Sequence, residues 1–185
     1  MVTRPTLLAL GLLLLAGAAR IWIFGVVEVR TASMLPTLTV GETWLYLRYG
    51  TIGLGDVVVL EVPGEEGVLH VKRVTGLSGD EVELAHGRFY LNGSMVGGAV
   101  EPLQWPGEGC RMEEGQGAHE RLGERAWLSI VGGEHPRGIV EAGAIWALGD
   151  NRPRSSDSRH WGAVPLEKVR GKLTKRLWGG QDCGA

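Results

Sequence analysis

A serine, a lysine and a polar loop stand out in this chain because their side chains can do chemistry that ordinary scaffold does not need. Ser33 lies in Ser33-Met34-Leu35-Pro36-Thr37-Leu38, just before a Met and a turn-setting proline, which presents its hydroxyl on a loop. A serine nucleophile needs a group to take its proton, and the usual partner is histidine. The five histidines, His70, His86, His119, His135 and His160, include none in a recognisable protease context. Lys72 is the stronger candidate, since it interrupts an apolar strand at Val71-Lys72-Arg73-Val74, and alternation points Lys72 inward and Arg73 outward. A lysine titrates near 10.4 in water, about three units too high for a base at neutral pH, but burial disfavours the ammonium and leaves an amine able to accept a proton. Read alone, Lys72 is better taken as a surface lysine on an edge strand and Ser33 as an ordinary loop serine. The third segment runs from Gly149-Asp150-Asn151-Arg152 through Ser155-Ser156-Asp157-Ser158-Arg159 to Trp161-Gly162, joining charged and hydroxyl groups to turn residues.

The elements that must position these groups are short strands. From Glu28 onward no long window carries apolar residues at helical period, and Gly and Pro together make 30 and 8 of 185 residues, above the usual combined share of about 12%. The spacing predicts strands at Trp44–Arg48, Asp56–Val62, Leu69–Thr75, Glu81–Leu84, Arg88–Leu91, Ala126–Val131 and Ala144–Leu148, each bounded by Gly, Asn, Asp or Pro. A mostly β fold follows.

The N-terminus differs. Leu7 to Ala19 holds only Leu, Ala and Gly, and Ile21 to Val27 continues the apolar run beyond Arg20. A helix from Thr6 to Ala19 is about 21 Å long, short of a hydrocarbon core of about 30 Å, whereas reading on to Val27 gives about 33 Å. Trp22 and Phe24 suit a membrane interface. The same window also fits a cleavable signal peptide, with Arg4 at its start and Ala16-Gly17-Ala18 as the cut site.

Charge is unevenly spread. The total of −2 excludes the basic excess of a nucleic-acid binder. Residues 101–143 hold eight Glu against four Arg and read as a peripheral acidic insertion with a solvated surface. Residues 145–178 hold eight Lys and Arg against three Asp and Glu, and Val164 to Trp178 reads as an edge strand protected by its charges, with contact to anionic headgroups as the other reading. Cys110 and Cys183 form neither a disulfide framework nor a metal or redox motif.

Taken together, five ordered blocks resemble bacterial type I signal peptidase, a membrane-bound Ser-Lys endopeptidase. They are Thr31 to Leu38, Gly55 to Leu60, Val71 to Asp80, Phe89 to Gly93, and Gly149 to Pro165. The resemblance implies a signal-peptidase-like β domain, shared with the SOS-repressor autopeptidases, behind one N-terminal transmembrane helix. It divides the chain into an anchor at 1–27, a β catalytic core at 28–95 and 144–178, the acidic insertion at 96–143, and a flexible tail at 179–185. By position it makes Ser33 the nucleophile, Lys72 the general base and Ser155 the group that hydrogen-bonds and aims Lys72. The oxyanion donors would be the Ser33 backbone N–H and the Thr31 hydroxyl. Asp157 and Arg159 match a structural ion pair, and Asp150, Asn151, Arg152 and Ser158 belong to the same supporting block. Met34, Leu38, His70 and Val71 match pocket positions that select small residues, Ala-x-Ala, in signal peptides of exported preproteins. His70, Ala32, Ser78 and Pro153-Arg154 depart from the family's usual residues. The resemblance also implies a retained anchor in the bacterial inner membrane, a lipid bilayer partner, an extracytoplasmic catalytic domain, and no metal or cofactor. Monomer is the default. The alternatives are a self-cleaving relative of the SOS repressors and a silent membrane-anchored binding protein.

Overall fold

The computed structural model describes residues 22–62, 64–65, 67–107 and 111–180. Among the described residues all seven strands expected from the sequence are present, two with the expected bounds and the others with ends shifted by at most two residues, and seven further strands join them. In chain order the strands are β1 (Phe24–Glu28), β2 (Thr43–Leu47), β3 (Val57–Glu61), β4 (Leu69–Leu77), β5 (Glu81–Ala85), β6 (Arg88–Leu91), β7 (Ser94–Met95), β8 (Val100–Pro106), β9 (Met112–Leu122), β10 (Arg125–Ile130), β11 (His135–Ile139), β12 (Ala144–Leu148), β13 (Val164–Pro165) and β14 (Val169–Trp178). The short helix α1 (Ser158–Trp161) is capped by the Asp157 side chain.

The main sheet has the order β1-β2-β14-β3-β4-β12-β13, and two smaller sheets have the orders β10-β9-β8 and β11-β5-β6-β7. Its pairings are antiparallel throughout. Strand β4 therefore lies inside the sheet, where both of its faces are covered. Val58, Leu60, Val74, Ile145 and Ala147 pack on one side. On the other, Val29, Met34 and Leu38 pack against Val57 and Val71.

Three sequence expectations are corrected here. Residues 1–21 of the expected anchor lie outside the described residues, but Phe24–Glu28 is a strand paired to β2, so no helix runs through to Val27. The cause is local alternation: Gly25 and Val27 are buried while Val26 and Glu28 face outward, a period of two. Among the described residues no helix is long and apolar enough to cross a membrane.

Strand β14 is not an edge. It pairs with both β2 and β3. Its cations meet carboxylates on neighbouring strands and loops: Arg170 pairs with Glu61, Lys172 with Asp56 and Arg176 with Glu42. A period-two charge pattern looks the same whether it guards an edge or pairs across a sheet.

The stretch 96–143 is not peripheral either. It supplies the whole β8-β9-β10 sheet and one strand of the other small sheet. Trp105 and Ile130 from this stretch pack on Leu35 in the loop after Ser33. Ile130 also forms a parallel bridge to Asn151. Cys110 and Cys183 lie outside the described residues, as do 181–185 of the expected tail.

The interior place of β14 depends on Gly171. Its φ is +154°, and a Cβ there would lie 2.2 Å from the Leu47 carbonyl oxygen, which is backbone and cannot yield cheaply. Gly171→Ala is expected to destabilise the domain by about 2–4 kcal/mol, at the upper end for single substitutions, read as a lowered denaturant midpoint with unchanged slope. A midpoint within experimental error of wild type would contradict the interior assignment.

Candidate active site

Strand β4 builds the site. Its first half, Leu69–Arg73, pairs with β3, and β12 pairs with it only from Arg73 onward. The edge of Leu69–Lys72 on the β12 side is thus left unpaired within the sheet. Lys72 and Arg73 point to opposite faces, as strand geometry requires. Both are nevertheless buried, because the strand is interior, and the expectation that Arg73 points outward is corrected.

The Lys72 amine stands 2.9 Å from Ser33 Oγ and donates a second bond to its neighbour's carbonyl, Val71 O, at 3.1 Å. Only 3% of Lys72 is exposed. Burial pushes its pKa down to about 8, against the opposing pull of the Asp157 and Asp150 carboxylates, while the Arg159 cation adds to the lowering. Ser33 sits in a single 3-10 turn, Ala32–Met34, preceded by an extended Thr31. The Thr31 hydroxyl donates to Ser33 Oγ at 3.1 Å. Two groups thus converge on one hydroxyl.

Asn151 holds that turn. Its backbone N–H donates to Ser33 O and its side-chain amide to Ala32 O, both at 3.0 Å. Asp150, the residue before it, accepts from Arg73 through both oxygens, Nε to Oδ1 at 2.8 Å and Nη2 to Oδ2 at 2.6 Å. Thr37 Oγ1 donates to the same carboxylate. Arg73 Nη1 also donates to Gly55 O at 2.9 Å, and its guanidinium lies 4.6 Å from the centre of the Trp127 ring. Bidentate pairing of this kind fixes orientation as well as charge.

A second buried pair lies along the same segment. Arg159 reaches Asp157 through Nε at 2.7 Å and Nη2 at 2.8 Å, and donates to Arg152 O and Ser155 O. Asp157 also accepts from Gly149 N at 3.0 Å. Burial alone would raise the Asp157 pKa, but Arg159 and the Gly149 N–H together hold it below the usual carboxylate range. Ser158 Oγ accepts from Ala147 N at 3.0 Å, tying α1 to β12. Gly149 is required by close approach: a Cβ would lie 2.2 Å from Ser155 Oγ and 2.6 Å from Ser33 O.

Ser155 is therefore brought beside Ser33, yet it makes no hydrogen bond to Lys72; its buried hydroxyl instead faces the Asp157 carboxylate and helps to hold it ionised. The expected Ser155–Lys72 bond is absent because Lys72 is turned towards Ser33 Oγ and Val71 O. Met34, His70 and Val71 line a cleft of about 560 Å³ that also exposes Thr31, Ser33 and Lys72. Leu38 does not line it; it is buried beside Met34 and Val29, and borders a separate groove with Trp44 and Trp127. His70 Nε2 lies 2.9 Å from an exposed Glu65 carboxylate oxygen. Among the described residues no histidine bonds to Ser33, and no cluster of His, Cys, Asp or Glu is arranged to hold a metal.

Arg152 is fully buried and pairs with Glu120 of β9, which also accepts from Trp127 Nε1. Neither Glu120 nor Trp127 was singled out by sequence reasoning. Glu120 belongs to an acidic run and Trp127 to an ordinary strand pattern, so no local signal separates them.

A hydroxyl held against a buried amine, in an open cleft on a mostly β scaffold, points to a class: a hydrolase of the serine type. The comparisons with known proteins specify it further. Residues 3–178 match the family described as signal peptidase, peptidase S26. Signal peptidase I of Bacillus caldolyticus is 34% identical over 163 residues, covering 86% of this chain and 82% of its own. Signal peptidase I of Streptococcus pneumoniae is 30% identical over 182 residues, 90% and 88% of the two chains. The mitochondrial ATP-independent inner membrane protease subunit 1a of Arabidopsis thaliana is 30% identical over 162 residues, 85% and 72%. A solved signal peptidase I from Enterococcus faecalis V583 aligns with a TM-score of 0.43 at 24% identity, over 68% of this chain and 98% of that one. The chain belongs to the signal peptidase family, peptidase S26, and is a serine endopeptidase.

The buried amine has a consequence for stability. A lysine whose folded pKa is depressed to about 8 binds fewer protons folded than unfolded between about pH 8 and 10.4, so its burial penalty is present in full below pH 8. Lys72→Met is thus expected to be at least as stable as wild type at pH 6 and to lose that advantage as pH rises above 8. Thermal denaturation at pH 6 and pH 10 checks this; a variant destabilised more at pH 6 than at pH 10 would overturn the depressed pKa.

Proposed function

We propose that this protein is a Ser-Lys signal peptidase that cleaves exported preproteins after small residues. The observation that carries this reading is the 2.9 Å contact between the buried Lys72 amine and Ser33 Oγ. In its neutral form the amine accepts the Ser33 proton as Oγ attacks the carbonyl carbon after the −1 residue. The negative charge passes to the carbonyl oxygen, which the Ser33 backbone N–H and the Thr31 hydroxyl stabilise. Lys72 then gives its proton to the leaving amine. Water, deprotonated by the same lysine, frees the signal peptide from the Ser33 ester and restores the hydroxyl. Ser155, beside the dyad, orients Lys72 once substrate fills the cleft. No step needs a metal or a cofactor.

The substrate lies as an extended strand along the unpaired edge of Leu69–Lys72, where main-chain hydrogen bonds supply affinity and wall residues supply choice. Met34 and Val71, in the wall of the cleft, face the −1 and −3 side chains of that strand and set the preference for small residues. The apolar segment from Leu7 to the residues just before β1 anchors the protein in the bacterial inner membrane by a single pass, with the catalytic domain on the extracytoplasmic side, where preproteins emerge.

Ser33→Ala and Lys72→Met are each expected to lower kcat/KM on an Ala-x-Ala preprotein by about 10³-fold or more, since the pair acts as a unit. For the wild type, kcat/KM is expected to rise with pH to a plateau with a midpoint near pH 8, because the neutral lysine is the active form, leaving about a tenth of the plateau at pH 7. Full cleavage by either variant, or a rate that falls between pH 6 and 8, would refute the dyad.

A further inference from the structure

We propose that Glu120, on β9 of the acidic stretch, is a positioning residue for the nucleophile, acting through Arg152 on the segment that holds the Ser33 backbone. This rests on the Ser33 and Lys72 reading above. Glu120 is 2% exposed and the Arg152 side chain 0%. Arg152 Nη2 donates to Glu120 Oε2, and Trp127 Nε1 donates to the same oxygen at 3.1 Å. Arg152 Nε in turn donates to Gly149 O at 2.9 Å. The next residues are held in the same direction: Ile130 N donates to Asp150 O at 2.8 Å, and Asn151 then grips Ser33 O and Ala32 O.

The chain of contacts thus runs from Glu120 through Arg152 and the Gly149–Asn151 backbone to the turn that carries Ser33. Trp127 links it to the other buried pair, since the face of its indole carries Arg73, the partner of Asp150. A buried arginine–carboxylate pair is a poor source of net stability, because desolvating two charges offsets most of their attraction. What such a pair supplies well is direction. Small misplacements of a reacting atom are enough to slow a reaction about 100-fold. Among the described residues Glu120 is the carboxylate that fixes Arg152, so its loss frees the guanidinium to leave Gly149 O.

The test uses the full chain in detergent with an Ala-x-Ala preprotein, at a temperature where every variant is folded by circular dichroism. Glu120→Gln is expected to lower kcat and the rate of Ser33 acylation by about 10–100-fold with KM within about twofold, because the cleft walls are untouched. Val82→Ala, on β5 in the core that β5 and β6 share with β12, serves as a stability control and is expected to keep kcat within about twofold despite a similar fall in Tm. Combining Glu120→Gln with Asn151→Ala is expected to cost little more than the larger single effect, as for groups in one chain of contacts. Trp127→Phe, which removes one donor and leaves the ion pair, is expected to lower kcat by about 3–10-fold and carries the test if Glu120→Gln does not fold. A folded Glu120→Gln or Trp127→Phe enzyme with wild-type kcat, a kcat loss equal to that of Val82→Ala, or fully multiplicative losses with Asn151→Ala would each overturn the proposal. Activity remaining in Ser33→Ala would instead bring down the dyad, whatever Glu120 does.

Discussion

Everything in this structure follows from keeping one amine out of water. Lys72 can accept a proton near neutral pH only while its ammonium is poorly solvated, and its pKa of about 8 comes first from burial. That requirement explains why the lysine sits on β4, a strand with neighbours on both sides, and why its face of the sheet is otherwise Val58, Leu60 and Val74. It also explains the interior position of β14. A basic strand at that place closes the sheet beside β3 and so keeps water from the strand that lies next to Lys72.

The same requirement sets the electrostatics of the surroundings. Asp150 and Asp157 both lie close enough to favour the ammonium, and left unpaired they would undo what burial achieves. Each is instead engaged by an arginine through both oxygens, Asp150 by Arg73 and Asp157 by Arg159. Arg159 adds directly to the lowering of the Lys72 pKa. The ion pairs of the loop are therefore more than scaffolding: they let the carboxylates cap α1 and receive backbone N–H groups without turning Lys72 into a permanent cation.

How much of this was legible in the sequence depended on whether a signal was local. Ser33 and Lys72 were candidates only in combination, because each alone reads as ordinary scaffold and it is the order of the five blocks that singles them out. The seven strands were legible locally, each bounded within a few residues by Gly, Asn, Asp or Pro. Arg73 was misread because alternation says which face a side chain takes but not whether that face is covered, and here both are. The apolar stretch to Val27 was read as continuous, since hydropathy does not distinguish a helix end from a strand start at Phe24.

Net charge hid the most. A total of −4 over residues 101–143 describes a solvated surface well on average, and Glu101 and Glu114 are indeed exposed. The average cannot register that Glu120 is buried between the exposed His119 and Arg121 of β9, beside Trp127, its partner in the register of β9 and β10. Burial of that carboxylate becomes tolerable only when Arg152 arrives from a segment 32 residues away. Such a pair leaves no mark at either position taken alone. The stretch that composition suggested was peripheral is thus the one through which the buried Arg152 is held, and its acidity is partly an internal counter-charge to the basic final third.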